Sequence, residues 1–182
     1  MAAEPSATWS PAQRRLHWIL AGLVASTGLI GLAMVAVPFE ALFAKFLLYQ
    51  AHKSLGLIVC ACAAAQLMLH LSRGRPPPDP SLPRLQQRAA ATVHRLLFAL
   101  LLLVPVSGWL AASAAPAAIP TLLFGLLPVP HMLAPSEALY GVLRPLHLAL
   151  VTALGVLALG HVAAALLHHW LGLPVLRRMW RG

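Results

Sequence analysis

The chain is poor in acid. Its 182 residues include four Asp and Glu together against thirteen Lys and Arg, and charged residues make up 9% of the whole. A soluble domain of this size could hardly bury the 60% of residues that are hydrophobic in one core, and a mean hydropathy of +0.81 places the chain in a membrane. The long apolar stretches hold no carboxylate, which disfavours a proton-coupled carrier. Cysteine is as scarce: Cys60 and Cys62 stand in "VCACAAA", too close together for an ordinary disulfide and without the C-x-x-C-H spacing of covalent cofactor attachment. They read as small residues that let helices approach.

Four apolar segments are present, 16–38, 54–72, 96–115 and 146–170, each near the roughly 20 residues a spanning helix needs. The predicted fold is all-α, an integral membrane four-helix bundle, with residues 1–182 as a single membrane domain. The net charge of +9 would suggest nucleic acid in a soluble protein, but the basic residues gather in short loops and at the termini, so no nucleic-acid partner is expected. Arg14, Arg15, Arg73, Arg75, Arg84, Arg88, Arg177, Arg178 and Arg181 lie on one side, with Arg95 just inside the third segment, against Lys45, Lys53 and Arg144 on the other. This bias predicts that both termini are cytoplasmic, which labelling of a cysteine at Ser81 would check.

The linker 73–88, "RGRPPPDPSLPRLQQR", reads as an extended cytoplasmic connection. The outer loop 116–145 mixes prolines with apolar residues and predicts an interfacial cap with a short helix. Pro105 should bend the third helix. The first segment resembles a signal peptide only faintly: 24 uncharged residues separate Arg15 from Glu40, more than a signal core usually has, so it is expected to remain as a helix.

Nine histidines in so apolar a chain need partners, because a polar nitrogen stranded in hydrocarbon costs several kcal/mol. His147 and His161 are fourteen residues apart in a segment free of charge. That spacing falls about 40° short of four helical turns, so both point to nearly the same side, roughly 21 Å apart along the axis. One lies near each face of the membrane. With the termini inside, His52 matches His147 at the outer level and His17 matches His161 at the inner. Each pair would bridge two helices. Zinc would call for about four ligands, which neither level offers, whereas two imidazoles suit the axial positions of haem b and leave its iron closed to oxygen. Two such haems would form an electron path across the bilayer. His94 enters the third helix at about the depth of His17 and could replace it as inner ligand. His168 and His70 follow the same faces near the cytoplasmic surface, where they are expected to meet water, a haem propionate or lipid headgroups. His131 and His169 read as surface residues.

The stretches "RRLHWILAGLVASTGLIGL", "AHKSLGLIVCA", "HRLLFALLLLVPVSGWL", "LHLALVTALGVLALGHVAAALLHHWL" and "VLRRMW" together resemble the bacterial cytochrome b561 family, from about Arg14 to Trp180 and in the family's order. The resemblance implies a multi-pass inner-membrane protein with two haem b groups that exchanges electrons with ubiquinone. It implies His17 and His161 as ligands of the inner haem iron, and His52 and His147 as ligands of the outer. His94 is not a ligand in that pattern. One departure is Gln66, where a basic residue late in the second helix is common. The family includes a superoxide oxidase, so superoxide or another periplasmic redox donor is an expected partner, beside membrane lipid and ubiquinone. Lys53 and Arg144 adjoin the outer histidines and could attract a small anion or hold propionates, and His94 could serve similarly at the inner level. The alternative function is a haem-bearing anchor subunit that docks a separate dehydrogenase or redox protein.

Overall fold

The computed structural model describes residues 9–78 and 82–180; Ser81 and Arg181 lie outside them. Four helices are long and apolar enough to cross a membrane: α1 (Pro11–Ala36), α2 (Leu42–Arg73), α3 (Arg84–Ala114) and α4 (Glu137–Trp170). A short helix α5 (Val175–Trp180) follows. Each long helix extends beyond the apolar stretch read from the sequence. His52 and His147 therefore sit almost three turns inside α2 and α4, with Lys53 and Arg144 beside them.

Local chemistry explains the helix ends. Ser10 and Gln13 form a capping box, with the Gln13 N–H donating to Ser10 Oγ at 3.3 Å and the Ser10 N–H to Gln13 Oε1 at 3.0 Å. Pro11 starts α1 where no N–H is needed. At the far end Lys45 Nζ donates to the carbonyls of Met34 (3.1 Å) and Val37 (2.7 Å). A charge that reads as a loop lysine thus caps the carbonyl end of α1. Ser136 caps α4 through the Leu139 N–H.

The helices pack in series, α1 on α2, α2 on α3 and α3 on α4, and the small core centres on Leu20, Val59 and Ala63. The backbones of α1 and α2 do not pack closely on α4. Most outward side chains are apolar; Leu32 and Leu159 are each 73% exposed, as suits a surface solvated by acyl chains. Gln66 Nε2 donates to the Gln13 carbonyl, and Gln13 Nε2 to the Gly74 carbonyl, joining α1 and α2 at the end that carries both described chain ends.

The loop between α3 and α4, read from the sequence as the outer one, holds an antiparallel hairpin, β1 (Thr121–Leu123) and β2 (Leu127–Val129), rather than the expected short helix. Prolines 116, 120, 128 and 130 lack the N–H groups a helix would use, and Phe124 and Gly125 take positive φ (51° and 75°), the conformation of a tight hairpin turn. The strain at Phe124 is held from α2: its N–H donates to Ser54 Oγ at 2.9 Å. Gln50 reads the hairpin as a strand would, donating to the Pro120 carbonyl (2.8 Å) and accepting from the Leu122 N–H (2.9 Å). Gln50→Leu strands both groups, so we expect about 1–3 kcal/mol of destabilisation and faster proteolysis within 119–129. Unchanged thermal unfolding and cleavage would show that this clamp is dispensable.

Candidate haem site

The hydrogen bonds of His52 and His147, the pair read from the sequence as outer, select their tautomers. His52 Nδ1 lies 3.0 Å from the Thr27 carbonyl of α1, and His147 Nδ1 lies 3.1 Å from the Val104 carbonyl of α3. A carbonyl oxygen only accepts, so each Nδ1 carries the proton and each Nε2 keeps a free lone pair. Ser107 Oγ donates to the same Val104 carbonyl at 2.8 Å and stands 3.0 Å from His147 Nδ1, adding a second acceptor. An imidazole held by its Nδ1–H, with its other nitrogen available, is arranged as a metal ligand is.

The two rings face each other across the separation between α2 and α4, with centroids 6.5 Å apart. At the opposite end of the bundle His17 of α1 faces His161 of α4 at 6.2 Å. Two imidazoles bound on opposite sides of one metal, with bonds of roughly 2 Å, would have centroids roughly 6 Å apart. Both pairs therefore have the spacing of a shared iron. Among the described residues, no group of three or more His, Cys, Asp or Glu is placed to hold a bare metal ion. A metal whose remaining ligands come with it, as in haem, fits this donor set.

The two levels are built differently. Each outer ring lies against a glycine of a neighbouring helix: a Cβ on Gly31 would meet His52 Cε1 at 3.1 Å, and one on Gly108 would meet His147 Cε1 at 2.9 Å. Glycine is needed here for close approach. Among the described residues, the His17–His161 level, read as the inner one, has no such seats. Instead His94 of α3 brings a third imidazole, 5.2 Å from His161, so three of the sequence candidates gather here. Gln66 Oε1, also toward this end of α2, is buried without a partner.

Lys53 and Arg144 prove unequal. Lys53 Nζ donates to the Pro120 carbonyl at 3.1 Å, committing one of its protons to the hairpin, whereas Arg144 is exposed with no side-chain bond among the described residues. His70, expected to meet water, a haem propionate or lipid headgroups, is buried: its Nδ1 lies 2.7 Å from the Gln66 carbonyl, and the rings of Trp9 and Phe98 approach edge-on at 5.3 and 4.9 Å. His168 is half-buried and His169 exposed. His131, expected at the surface, is half-buried, with Nε2 out of water and unpartnered. Sequence reasoning missed Gly31, Gly108, Thr27 and Ser107. A glycine or serine three or four residues from a helix crossing is a usable signal only once the crossing is known.

A sequence model of the family described as "Prokaryotic cytochrome b561" matches residues 8–182. Among curated proteins, "Cytochrome b561 homolog 2" of Escherichia coli (strain K12) is 29% identical over 156 residues, which cover 85% of this chain and 81% of that protein.

Proposed function

Since the chain belongs to the prokaryotic cytochrome b561 family, whose members are membrane haem proteins that carry electrons, we propose that it holds two haem b groups and passes electrons across the inner membrane from a periplasmic donor to ubiquinone. The observation that carries this reading is the pair of facing imidazoles at each level, 6.2 and 6.5 Å between centroids. His52 and His147 would hold the outer haem, and His17 and His161 the inner. Haem b held by these two imidazole pairs would supply a one-electron carrier. Thr27, Val104 and Ser107 orient the outer rings through Nδ1. His94, not a ligand in this reading, lines the inner level, where its imidazole can meet a propionate. The basic-residue bias supports cytoplasmic termini, and the family match over residues 8–182 supports reading residues 1–182 as one membrane domain.

Superoxide is the donor best suited to the outer end. Two superoxide anions would each give up one electron to become dioxygen, and ubiquinone would take both electrons with two protons to become ubiquinol. Arg144, exposed and unpaired, would steer the anion by a Coulomb attraction screened over about 10 Å at 0.1 M salt. Arg144→Gln should therefore slow superoxide-driven ubiquinone reduction at low salt and have less effect at high salt, with haem content unchanged. A rate indifferent to both salt and Arg144 would end the steering argument. No quinone reduction by superoxide in the haem-loaded protein would remove superoxide as donor. The anchor-subunit reading draws on the exposed apolar tip of the hairpin, where Leu126 is 81% exposed. A stoichiometric redox partner recovered in mild detergent would favour that reading.

A further inference from the structure

At the end of the bundle that carries both described chain ends, α5 folds back beneath α1. Trp18 Nε1 donates to the Met179 carbonyl at 3.1 Å, and the Trp18 and Trp180 rings meet edge to face at 5.2 Å. The fold encloses a cleft of about 230 Å³ lined by Pro11, Arg14, Arg15, Trp18, Met179 and Trp180. Arg14, which lines this cleft, has its Nε buried with no hydrogen-bond partner among the described residues, and Arg15 beside it is exposed. Neither side chain makes an ion pair among the described residues. The described carboxylates, Glu40 and Glu137, are both at the other end of the bundle. A guanidinium nitrogen removed from water without an acceptor is costly, and its fork of N–H groups matches a phosphate oxygen pair.

We propose that this cleft binds the phosphate of an anionic phospholipid. The membrane is the source that the surroundings favour. The cleft opens at the polar end of a spanning helix, tryptophan pairs of this kind settle at headgroup depth, and Ile19, Leu29 and Leu32 leave α1 an exposed apolar surface for acyl chains. Arg14 supplies the partly buried contact, Arg15 the outer one, and the Trp18 bond to Met179 keeps the wall of α5 in place.

Native mass spectrometry of the haem-loaded protein, offered phosphatidylglycerol or phosphatidylcholine with the same acyl chains, tests the site. The wild type should retain phosphatidylglycerol several-fold more than phosphatidylcholine. Arg14→Gln should abolish most of that preference, and Arg14→Lys should restore part of it. Arg15→Gln, a change at an exposed position that folding tolerates, should weaken the preference too. Equal retention of the two lipids by the wild type, or a preference that survives both Gln variants, overturns the proposal. Displacement of the lipid by millimolar inorganic phosphate would make this a free-phosphate site and overturn the lipid assignment. If Arg14→Gln instead shifts the haem spectrum and leaves lipid retention intact, Arg14 serves the haem, and the proposal fails.

Discussion

Replacing His52 or His147 by alanine is expected to remove one and the same haem and to leave the other in place. The two rings face each other with centroids 6.5 Å apart, and each is fixed by an Nδ1 bond to a different helix, His52 to Thr27 on α1 and His147 to Val104 on α3. Loss of either side chain leaves the partner's Nε2 as the single protein ligand at that level. The inner pair lies at the other end of α4, fourteen residues away, and shares no hydrogen bond with the outer one. Haem content should fall to about half in both variants, with the same absorption and redox component missing, because second-sphere losses alone already weaken metal binding about 10–100-fold. If His52→Ala and His147→Ala removed spectroscopically different haems, the pairing would be wrong. His17→Ala is the informative contrast. His94 stands 5.2 Å from His161, so the inner level retains a nearby imidazole and should lose its haem less completely.

Gly108→Ala should act on the outer haem almost as a ligand change would. The added methyl would lie 2.9 Å from His147 Cε1, 3.3 Å from Nδ1 and 3.4 Å from Nε2. The ring has little room to retreat, because its Nδ1 is bonded to Val104, one turn before Gly108 on the same helix, and to Ser107, the residue just before it. Overpacking of this kind costs about 1–3 kcal/mol, and here it falls on the orientation of a ligand nitrogen. We expect outer-haem affinity to drop about 10–100-fold, as for other changes behind a metal ligand. Gly31→Ala, with its contact at 3.1 Å to His52 Cε1, should do the same more weakly. Gly22 and Gly155, exposed on α1 and α4, provide controls, since a Cβ there meets nothing within 4 Å. Alanine at those positions should leave the haem spectrum alone and stabilise the helix by about 0.5–1 kcal/mol. Indistinguishable haem content in Gly108→Ala and Gly22→Ala would refute the seating of His147 on Gly108.

The parts of this arrangement that depend on helical phase were legible in the sequence. The fourteen-residue spacing of His147 and His161 fixes their common face whatever surrounds them, and four apolar segments of spanning length point to a bundle. What could not be read depends on contacts between distant segments. Lys53 looks like a free cation until Pro120, 67 residues away, supplies its carbonyl. The outer loop reads as helix-compatible by its apolar content, but its prolines and the bonds from Gln50 and Ser54 settle it as a hairpin. His94 could be placed by depth, yet its approach to His161 follows from the packing of α3 on α4. The neighbourhood of prolines around His131 gives no sign that its Nε2 lies out of water.

The most direct test of the two-level arrangement is the number of haems per chain in the purified protein, measured by pyridine haemochrome absorbance against quantitative amino-acid analysis. Two non-covalent b-type haems per chain, titrating as two separate redox components, are the predicted result. A single haem per chain in fully loaded protein would contradict it.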